Sequence, residues 1–397
     1  MNRSVLSEKF VEKFGVFHDK KYFFAPGRIN LIGEHIDYNG GFVFPTAITY
    51  GTYAVVSKRL DKKIRLYSQN FSSDGIIEIE LNDIEYANIT SWAKYVIAVI
   101  LAYKNAGHKV ETGFDAYIEG NIPNGAGLSS SASLEILTGI ILQNIGGYTV
   151  DKIENAKLGQ IAENDYVGVK CGIMDQFAIA MGEKNKAILL NTEDLVYDYV
   201  NCDLSTYDLL IMNTNKKRGL ADSKYNTRRA ECEAALSILK RHAFINNLCD
   251  LTRAEFDKIS HYLTDDTLLK RARHAVTENE RVKLAVNVLK EGNLFEFGQL
   301  LNESHKSLKD DYEVTGIELD TIVELASNED GVIGARMTGA GFGGCAIALV
   351  EKEKVAKVID FIERNYTEKI GYKPSFYIAK IASGAKMFDE DQGDFYE

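Results

Sequence analysis

The sequence predicts an α+β protein of two layered domains with a ligand cleft between them. In the first half, short segments rich in β-branched and aromatic residues alternate with helical patterns. The middle, about residues 220–330, consists of charged amphipathic helices with almost no strand signal, and the tail returns to strand, helix and strand. This change of composition places a boundary near residues 195–210. We therefore divide the chain into an N-terminal domain, 1–200, and a helix-rich C-terminal domain, 201–397.

Charge and cysteine content narrow the class of function. The chain has 397 residues, with 46 Lys and Arg against 57 Asp and Glu, hence a net charge of −11. This negative excess argues against binding to nucleic acid or to an anionic membrane surface. No apolar stretch approaches the roughly 20 residues that cross a bilayer. The five cysteines form no C-x-x-C pair, so neither a disulfide framework nor a zinc site is indicated. We expect a cytoplasmic, soluble monomer that acts on small molecules.

The sequence of the first domain predicts a sheet and several helices. After an N-terminal helix, five segments predict strands of a mixed or antiparallel sheet: KYFFAP, GFVFPTAI, YGTYAVVSKR, KIRLYSQ and GIIEIEL. WAKYVIAVILAYKNAG predicts a helix that ends at Gly107. FDAYIEGNIP predicts a further strand, and SLEILTGIILQNIGG predicts a helix that Gly146 and Gly147 terminate.

The second domain is predicted to begin on a strand and to continue as helices. YDLLIMNTN is the candidate first strand. Three amphipathic helices follow, in RRAECEAALSILKRH, TLLKRARHAVTENERVKLAVNVLKEG and LFEFGQLLNESHKSL. The tail contributes the strand CAIALV, the helix EKVAKVIDFIERNY and the strand SFYIAKIA.

A glycine- and serine-rich block spans 121–133. Gly125 and Gly127 allow the backbone to approach an anion closely, and the helix that follows supplies free N–H groups and a positive dipole end. Ser129, Ser130 and Ser131 add hydroxyls that can bind phosphate or magnesium. The block lacks the lysine of the common P-loop. A flexible linker is the alternative, but the flanking proline and the strongly patterned helix argue against it. The block predicts a phosphate cradle.

A second glycine block spans 337–345. Gly339, Gly341 and Gly344 satisfy the spacing G-x-G-x-x-G. A dinucleotide-binding fingerprint opens a helix, whereas CAIALV after this block reads as a strand and no βαβ unit surrounds it. The pattern therefore favours a glycine turn between paired strands, packed against the ligand cleft, over NAD binding.

A third block, 25–41, concentrates side chains that bind polar ligands. Five of them fall within eleven residues: Arg28, Glu34, His35, Asp37 and Tyr38. Carboxylates and imidazole bind a polyhydroxylated ligand well, and an arginine can neutralise developing phosphate charge. A metal site is disfavoured because there is one histidine and no second at ligand spacing. A solvated polar hairpin is the remaining alternative.

Together the three blocks, in this order, resemble the three signatures of the GHMP family of small-molecule kinases. Within that family GRINLIGEHIDYNGG is similar to the galactokinase signature, which the other branches lack. Further segments resemble the same branch: CGIMDQF at 171–177, KYNTRRAEC at 224–232 and SHKSLKDDYEV at 304–314. The sequence departs from the family pattern at Ile36, where threonine is usual, and at Ala340, where glycine is usual. The resemblance, from about residue 20 onward, implies the two-domain GHMP architecture with mixed or antiparallel sheets and an active-site cleft between the domains.

The resemblance also implies an activity, the ATP-dependent phosphorylation of α-D-galactose at its anomeric hydroxyl to give galactose 1-phosphate and ADP. It implies Asp175 as the base, Arg28 as the cation that stabilises the transferring group, and Mg²⁺ held by Ser131 and Glu163. The implied sugar-binding residues are Glu34, His35, Ile36, Asp37, Gly172 and Tyr225. The implied ATP-binding residues are Ser68, Gly125, Ala126, Gly127, Leu128, Ser129, Ser130 and Ser131.

Other activities stay open at this point. A kinase of the same branch could act on N-acetylgalactosamine or arabinose, because one pocket side chain can admit or exclude the substituent. A non-catalytic sensor of galactose and ATP would be expected to have a damaged serine loop or to lack Asp175, and both are intact. Ser304 and His305 suggest a hydrolase triad, but no G-x-S-x-G elbow exists and both residues fall within an amphipathic helix.

Overall fold

The computed structural model describes residues 2–16, 19–86, 90–123, 127–204, 206–216 and 221–388. The strands are β1 (Lys20–Asn30), β2 (Phe42–Val43), β3 (Pro45–Lys58), β4 (Lys63–Ser68), β5 (Ile77–Glu80), β6 (Phe114–Gly120), β7 (Lys186–Asn191), β8 (Tyr197–Asn201), β9 (Tyr207–Asn213), β10 (Val332–Thr338), β11 (Cys345–Glu351), β12 (Ser375–Ala379) and β13 (Lys386–Phe388). The helices are α1 (Arg3–Phe14), α2 (Ala93–Asn105), α3 (Ser130–Gly146), α4 (Lys152–Ile161), α5 (Met174–Met181), α6 (Ala221–Leu239), α7 (Arg253–Ile259), α8 (Asp266–Lys290), α9 (Leu294–Asp310), α10 (Gly316–Ser327) and α11 (Val355–Ile370).

Three sheets organise these elements and confirm the predicted α+β class. The first has the order β13-β1-β3-β6-β4-β5, in which only β4 and β6 run parallel, so it is mixed. The second, β10-β11-β9-β12, and the third, β2-β7-β8, are antiparallel throughout. None of the described helices combines the length and apolarity that a bilayer crossing requires.

The first sheet is covered on both faces, which the alternation along β3 shows. Ala54 and Val56 join the main core beneath α2 and α3, whereas Tyr53 and Val55 point to the opposite face and pack against α1. That second face has its own small aromatic core, which also includes Phe10 of α1. Burial on both faces holds β1 rigidly, and β1 carries the third block's Arg28 at its end.

The second sheet positions the other wall of the cleft. The predicted strand YDLLIMN forms β9, and the glycine block joins β10 to β11 as the predicted turn between paired strands. Helix α9 lies directly on β10, because both Gly298 and Gly334 lack a side chain at the crossing. A Cβ at Gly298 would lie 2.2 Å from the Ile333 carbonyl oxygen.

The chain crosses back to the first sheet near its end. Strand β13 pairs with Tyr22–Phe24 of β1, and Ile381 bridges to Ile48. The predicted second domain, 201–397, therefore contributes an edge strand to the sheet of the first.

Candidate active site

A polar cavity lies where the three blocks meet. Its lining combines residues of the N-terminal half with the turn between β10 and β11 and with α6. The lining residues are Arg28, Glu34, His35, Asp37, Tyr95, Gly127, Ser129, Ser130, Ser131, Glu163, Val169, Cys171, Gly172, Met174, Asp175, Tyr225, Gly339 and Ala340. Separate motifs of the sequence are thus brought to one cleft.

At the centre of the polar cavity is an arginine–carboxylate pair. The Arg28 Nε and Nη2 groups donate to Asp175 Oδ1 and Oδ2, each at 2.8 Å, in the two-pronged geometry that fixes both planes. Arg28 Nη1 also donates to the Gly127 carbonyl at 2.7 Å, and the Ser129 hydroxyl donates to Asp175. Asp175 keeps 27% of its side chain exposed, against 5% for Arg28. The carboxylate therefore remains accessible to a ligand in the cavity.

The backbone that forms this pair depends on two unusual positions. Gly27 precedes Arg28 in β1, and a Cβ there would lie 2.8 Å from the Leu128 carbonyl oxygen, so strand and serine block are in direct contact. Ser129 has φ +60° and precedes the first turn of α3. Burial alone would lower the pKa of Arg28, but the charges of Asp175 and Glu34 raise it above its ordinary value, so the guanidinium stays charged.

Glu163 lies beside this pair, in a π-helical turn. Helix α4 runs into Ala162–Val167, a rare geometry that is frequent at functional sites. The Glu163 carboxylate accepts a hydrogen bond from Gln176 Nε2 at 2.8 Å and another from the Ser131 hydroxyl. Burial, and then the charge of Asp175, raise the pKa of Glu163 to about 7.

A hydroxyl and a carboxylate side by side suit a hard cation. In the part of the chain that the structure describes, no three His, Cys, Asp or Glu side chains cluster in a metal-binding arrangement. Magnesium does not require such a cluster, because it keeps several waters and takes further oxygens from phosphate. Ser131 and Glu163 are therefore chemically suited to contribute to a magnesium site.

The third block, 25–41, named the sugar signature for its resemblance to the galactokinase signature, is held firmly by residues of the second half of the chain. Glu34 is almost fully buried: Arg336 Nη2 donates to it at 2.9 Å, Asn30 Nδ2 at 3.0 Å and the Gly339 N–H at 2.5 Å. This carboxylate lines the polar cavity but already has three donors.

Asp37 faces the loop before α5. Gly172 has no room for a side chain there, since a Cβ would lie 2.1 Å from Asp37 Oδ2. Burial, and then the charges of Asp175 and Glu34, raise the pKa of Asp37 to about 7. The polar cavity thus holds several carboxylates close together, and the charges of Asp175 and Glu34 add to the effect of burial on the pKa of Asp37.

Not every residue implied by the resemblance lies at this cavity. Ile36 is fully buried in the apolar core and does not line the polar cavity, unlike its neighbours in sequence. Leu128 is buried, and its carbonyl accepts the Arg28 N–H at 3.3 Å. Gly125 and Ala126 lie outside the described residues.

A second, aromatic cavity adjoins the first at Tyr95, Ser130 and Ser131. It is lined by Thr52, Ser68, Asn70, Phe71, Thr90, Ser91, Trp92, Lys94, Tyr95, Ile118, Gly120, Ile122, Ser130, Ser131 and Leu134. The Phe71 and Trp92 rings are nearly parallel, 12° apart in plane with centroids 6.5 Å apart. Ser68, which the resemblance implies as an ATP-binding residue, lines this cavity, whereas Phe71 and Trp92 were not predicted to take part. The single tryptophan of the chain, at the start of α2, was the one available signal.

Comparison with known families matches the same segments. The model for the galactokinase galactose-binding signature matches residues 8–58. The GHMP kinase N-terminal domain matches 94–183, and the GHMP kinase C-terminal domain matches 285–368.

Full-length relatives agree with these matches. The chain is 54% identical over 386 residues to the galactokinase of Clostridium acetobutylicum, covering 97% of this chain and 99% of the relative. It is 53% identical to the galactokinase of Ligilactobacillus salivarius, covering 98% and 100%. A crystal structure of Lactococcus lactis galactokinase complexed with galactose superposes with a TM-score of 0.95, 51% identity and coverage of 96% and 99%. Mevalonate kinase of Methanococcus jannaschii shares the fold, with a TM-score of 0.66, 20% identity and coverage of 93% and 100%.

The raised pKa of Asp37 predicts a pH-dependent stability. The pKa of Asp37 in the folded protein, about 7, exceeds the ordinary value of 3.8. The stability that the protonated carboxyl contributes to the fold is therefore fully present below pH 3.8 and is lost as pH rises through 7. Asp37→Asn removes this loss. We expect the free energy of unfolding of the variant, relative to the parent, to increase by about 2–3 kcal/mol between pH 5 and pH 8. Urea titrations at both pH values measure it.

Asp61→Asn is the matched control. Hydrogen bonding from Arg59 lowers the pKa of this exposed carboxyl, so its contribution is lost only as pH falls below the ordinary value. Its difference from the parent should be the same at pH 5 and pH 8. If the Asp37→Asn difference were equally constant, the assigned pKa of Asp37 would be wrong.

Proposed function

The chain belongs to the galactokinase family of the GHMP kinases, and from this premise we propose that it transfers the γ-phosphoryl group of ATP to the anomeric hydroxyl of α-D-galactose. The products are galactose 1-phosphate and ADP. The observation that carries the proposal is the Arg28–Asp175 pair, which faces the same polar cavity as Ser131 and Glu163. The galactose-binding signature over 8–58 supports galactose as the acceptor.

The proposed roles follow from charge and position. Asp175 accepts a hydrogen bond from the sugar hydroxyl, orients it and takes its proton as the oxygen–phosphorus bond forms. Phosphoryl transfer has a loose transition state, so fixed positive charge beside the transferring group is the main contribution that a protein can make. Arg28 supplies that positive charge. Its two hydrogen bonds to Asp175 fix the guanidinium in place.

The sugar lies, in this proposal, against the third block and the loop before α5. His35, Asp37, Gly172 and Tyr225 line the polar cavity on that side. Glu34 contributes mainly by shaping the cavity, since its oxygens already accept from Arg336, Asn30 and Gly339.

The aromatic cavity is the proposed site of the purine. Phe71 and Trp92 offer nearly parallel ring faces, and the cavity opens at Ser130 and Ser131 onto the polar one. A nucleotide with its base there would direct its phosphates along the N-terminus of α3 and toward Asp175.

Magnesium is the proposed metal, held by Ser131 and Glu163 together with the phosphates. When bound it would neutralise phosphate charge. Glu163 is prepared for a cation, because burial raises the pKa of this carboxyl to about 7 and a positive ion would relieve the cost of its charge. The proposal also includes a cytoplasmic location, which the five free thiols support, and a monomeric state.

A coupled assay of ADP release tests the function. Galactose should give turnover with MgATP, whereas glucose, N-acetylgalactosamine and arabinose should give far less. A preference for one of the last two sugars would assign the chain to another substrate of the same branch. Galactose binding without ADP release would favour a sensor and contradict the proposal.

Asp175→Asn tests the base. The isosteric amide cannot accept the proton, so kcat should fall by at least ~10²-fold, while the Kd for galactose changes little. Steady-state kinetics measure kcat, and calorimetric titration with galactose measures the Kd.

Asp115→Asn is the control for this variant. Asp115 is fully buried and receives two bonds from Arg65, at 2.6 and 2.7 Å, but lies on β6 away from the polar cavity. Its loss should lower the melting temperature without the loss of kcat. Near-normal turnover in Asp175→Asn would refute the assignment of the base.

Ser131→Ala and Glu163→Gln test the magnesium site. Each should weaken MgADP binding and kcat/KM for ATP while leaving galactose binding nearly unchanged. The double variant should cost less than the sum of the singles, because residues that share one ion are not additive. Titrations with MgADP at several magnesium concentrations measure this.

Ser133→Ala is the matched control in the same helix. The Ser133 hydroxyl donates to the Ala25 carbonyl at 2.9 Å, is fully buried and lines neither cavity. It should alter stability alone. Parental magnesium dependence in Glu163→Gln would rule out the metal role of that carboxylate.

A further inference from the structure

A chain of hydrogen bonds leads away from His35 and has no part in the chemistry above. His35 Nε2 lies 3.2 Å from the Ala340 carbonyl oxygen, and Nδ1 lies 2.8 Å from the Tyr38 hydroxyl. That hydroxyl lies 2.8 Å from the hydroxyl of Tyr312, which in turn lies 3.1 Å from Cys232 Sγ. These hydrogen bonds thus connect the second glycine block, through the sugar signature, to helix α6.

Counting protons fixes the direction of every bond. Burial lowers the pKa of His35 to about 3, so the ring is neutral and carries one N–H. The Ala340 carbonyl can only accept, so that N–H is at Nε2 and Nδ1 accepts from Tyr38. Tyr38 has then used its proton and must accept from Tyr312, which must accept from the thiol of Cys232. Burial raises the pKa of Cys232 to about 11, so the thiol keeps the proton that this arrangement needs.

The surroundings of His35 show why it needs support. Its backbone has φ +63°, in a region that side chains with a Cβ rarely adopt. Its ring packs against the rings of Tyr225 and Tyr312, with centroids 5.4 and 4.9 Å away. The ring could turn over and exchange its two nitrogens only if both hydrogen bonds were lost.

We propose that Tyr38, Tyr312 and Cys232 are positioning residues for the sugar: they hold His35 as its Nε2–H tautomer and thereby fasten the sugar signature to the glycine block at Ala340. The proposal rests on the proposed function for its ligand, galactose. Tyr38, Tyr312 and Cys232 line neither cavity, so they act on the shape of the sugar side of the polar cavity through His35.

Tyr38→Phe deletes the donor to His35 and is the main test. One neutral hydrogen bond corresponds to about a three- to tenfold change in an equilibrium constant, so Kd and KM for galactose should rise by that factor. The kcat value and the KM for ATP should stay within about twofold of the parent. Tyr312→Phe should produce the same pattern with a smaller factor.

Two controls separate positioning from stability. Tyr117→Phe removes another buried hydroxyl, which donates to Glu119 at 2.8 Å in the core beneath α1, and should leave galactose binding unchanged. Cys232→Ser keeps a donor at the end of this series of hydrogen bonds and should bind galactose more tightly than Cys232→Ala. Equal galactose Kd values in Tyr38→Phe and Tyr117→Phe would overturn the proposal.

Nitrogen-15 NMR of the histidine rings provides a test without substrate. The unaltered protein should show His35, identified by the signal absent in His35→Gln, as the neutral Nε2–H tautomer. An Nδ1–H or charged ring would overturn the proposal even if Tyr38→Phe failed to fold. If the parent did not bind galactose, the proposed function would be wrong, and the tautomer would still decide whether the chain of hydrogen bonds exists.

Discussion

The buried ion pair between Glu34 and Arg336 joins the two halves of the molecule at the cleft. Its side chains are 2% and 0% exposed. Arg336 also donates to the carbonyls of Asn30 and Leu31, so one guanidinium on β10 anchors both the backbone and the carboxylate of the sugar signature. Removing either charge would leave the other buried and unpaired, which is far costlier than losing an exposed pair. The shape of the cleft therefore depends on this contact.

Helices α8 and α9 reinforce the same segment from below. The Gly33 N–H donates to Glu278 at 2.9 Å, and the His274 ring lies 3.0 Å from the Glu34 carbonyl oxygen. Burial would raise the pKa of Glu278, but the neighbouring Arg281 guanidinium lowers it to about 2, so it stays an acceptor. Ser304, which beside His305 first suggested a hydrolase, donates to Glu278 at 2.6 Å. Its hydroxyl is used for support, and Ser304 does not line the polar cavity.

The sequence predicts a feature well when the residues that form it lie close together along the chain. The glycine turn between β10 and β11 was predictable because the residues that follow read as a strand. The helix that follows the serine block was predictable because SLEILTGIILQNIGG has a helical apolar pattern, and α3 begins at Ser130.

Contacts between distant segments were not predictable in this way. Phe71 and Trp92 stack only after the sheet brings them together, and no spacing links them beforehand. Ile36 stands among polar cavity residues in the sequence, yet the turn there directs its side chain into the core. The edge strand β13 pairs across almost the whole described chain, so no local pattern could assign its partner.

That edge strand has a consequence for the order in which the molecule becomes complete during synthesis. Strand β1 leaves the ribosome well before β13, the strand that pairs with part of its outer edge. Until then Tyr22–Phe24 of β1 display unpaired backbone groups, a template for pairing with another chain. Closure of this edge therefore waits for translation of the second half. Between the synthesis of β1 and that of β13, pairing of this open edge with another copy of the chain is a hazard that the finished fold removes.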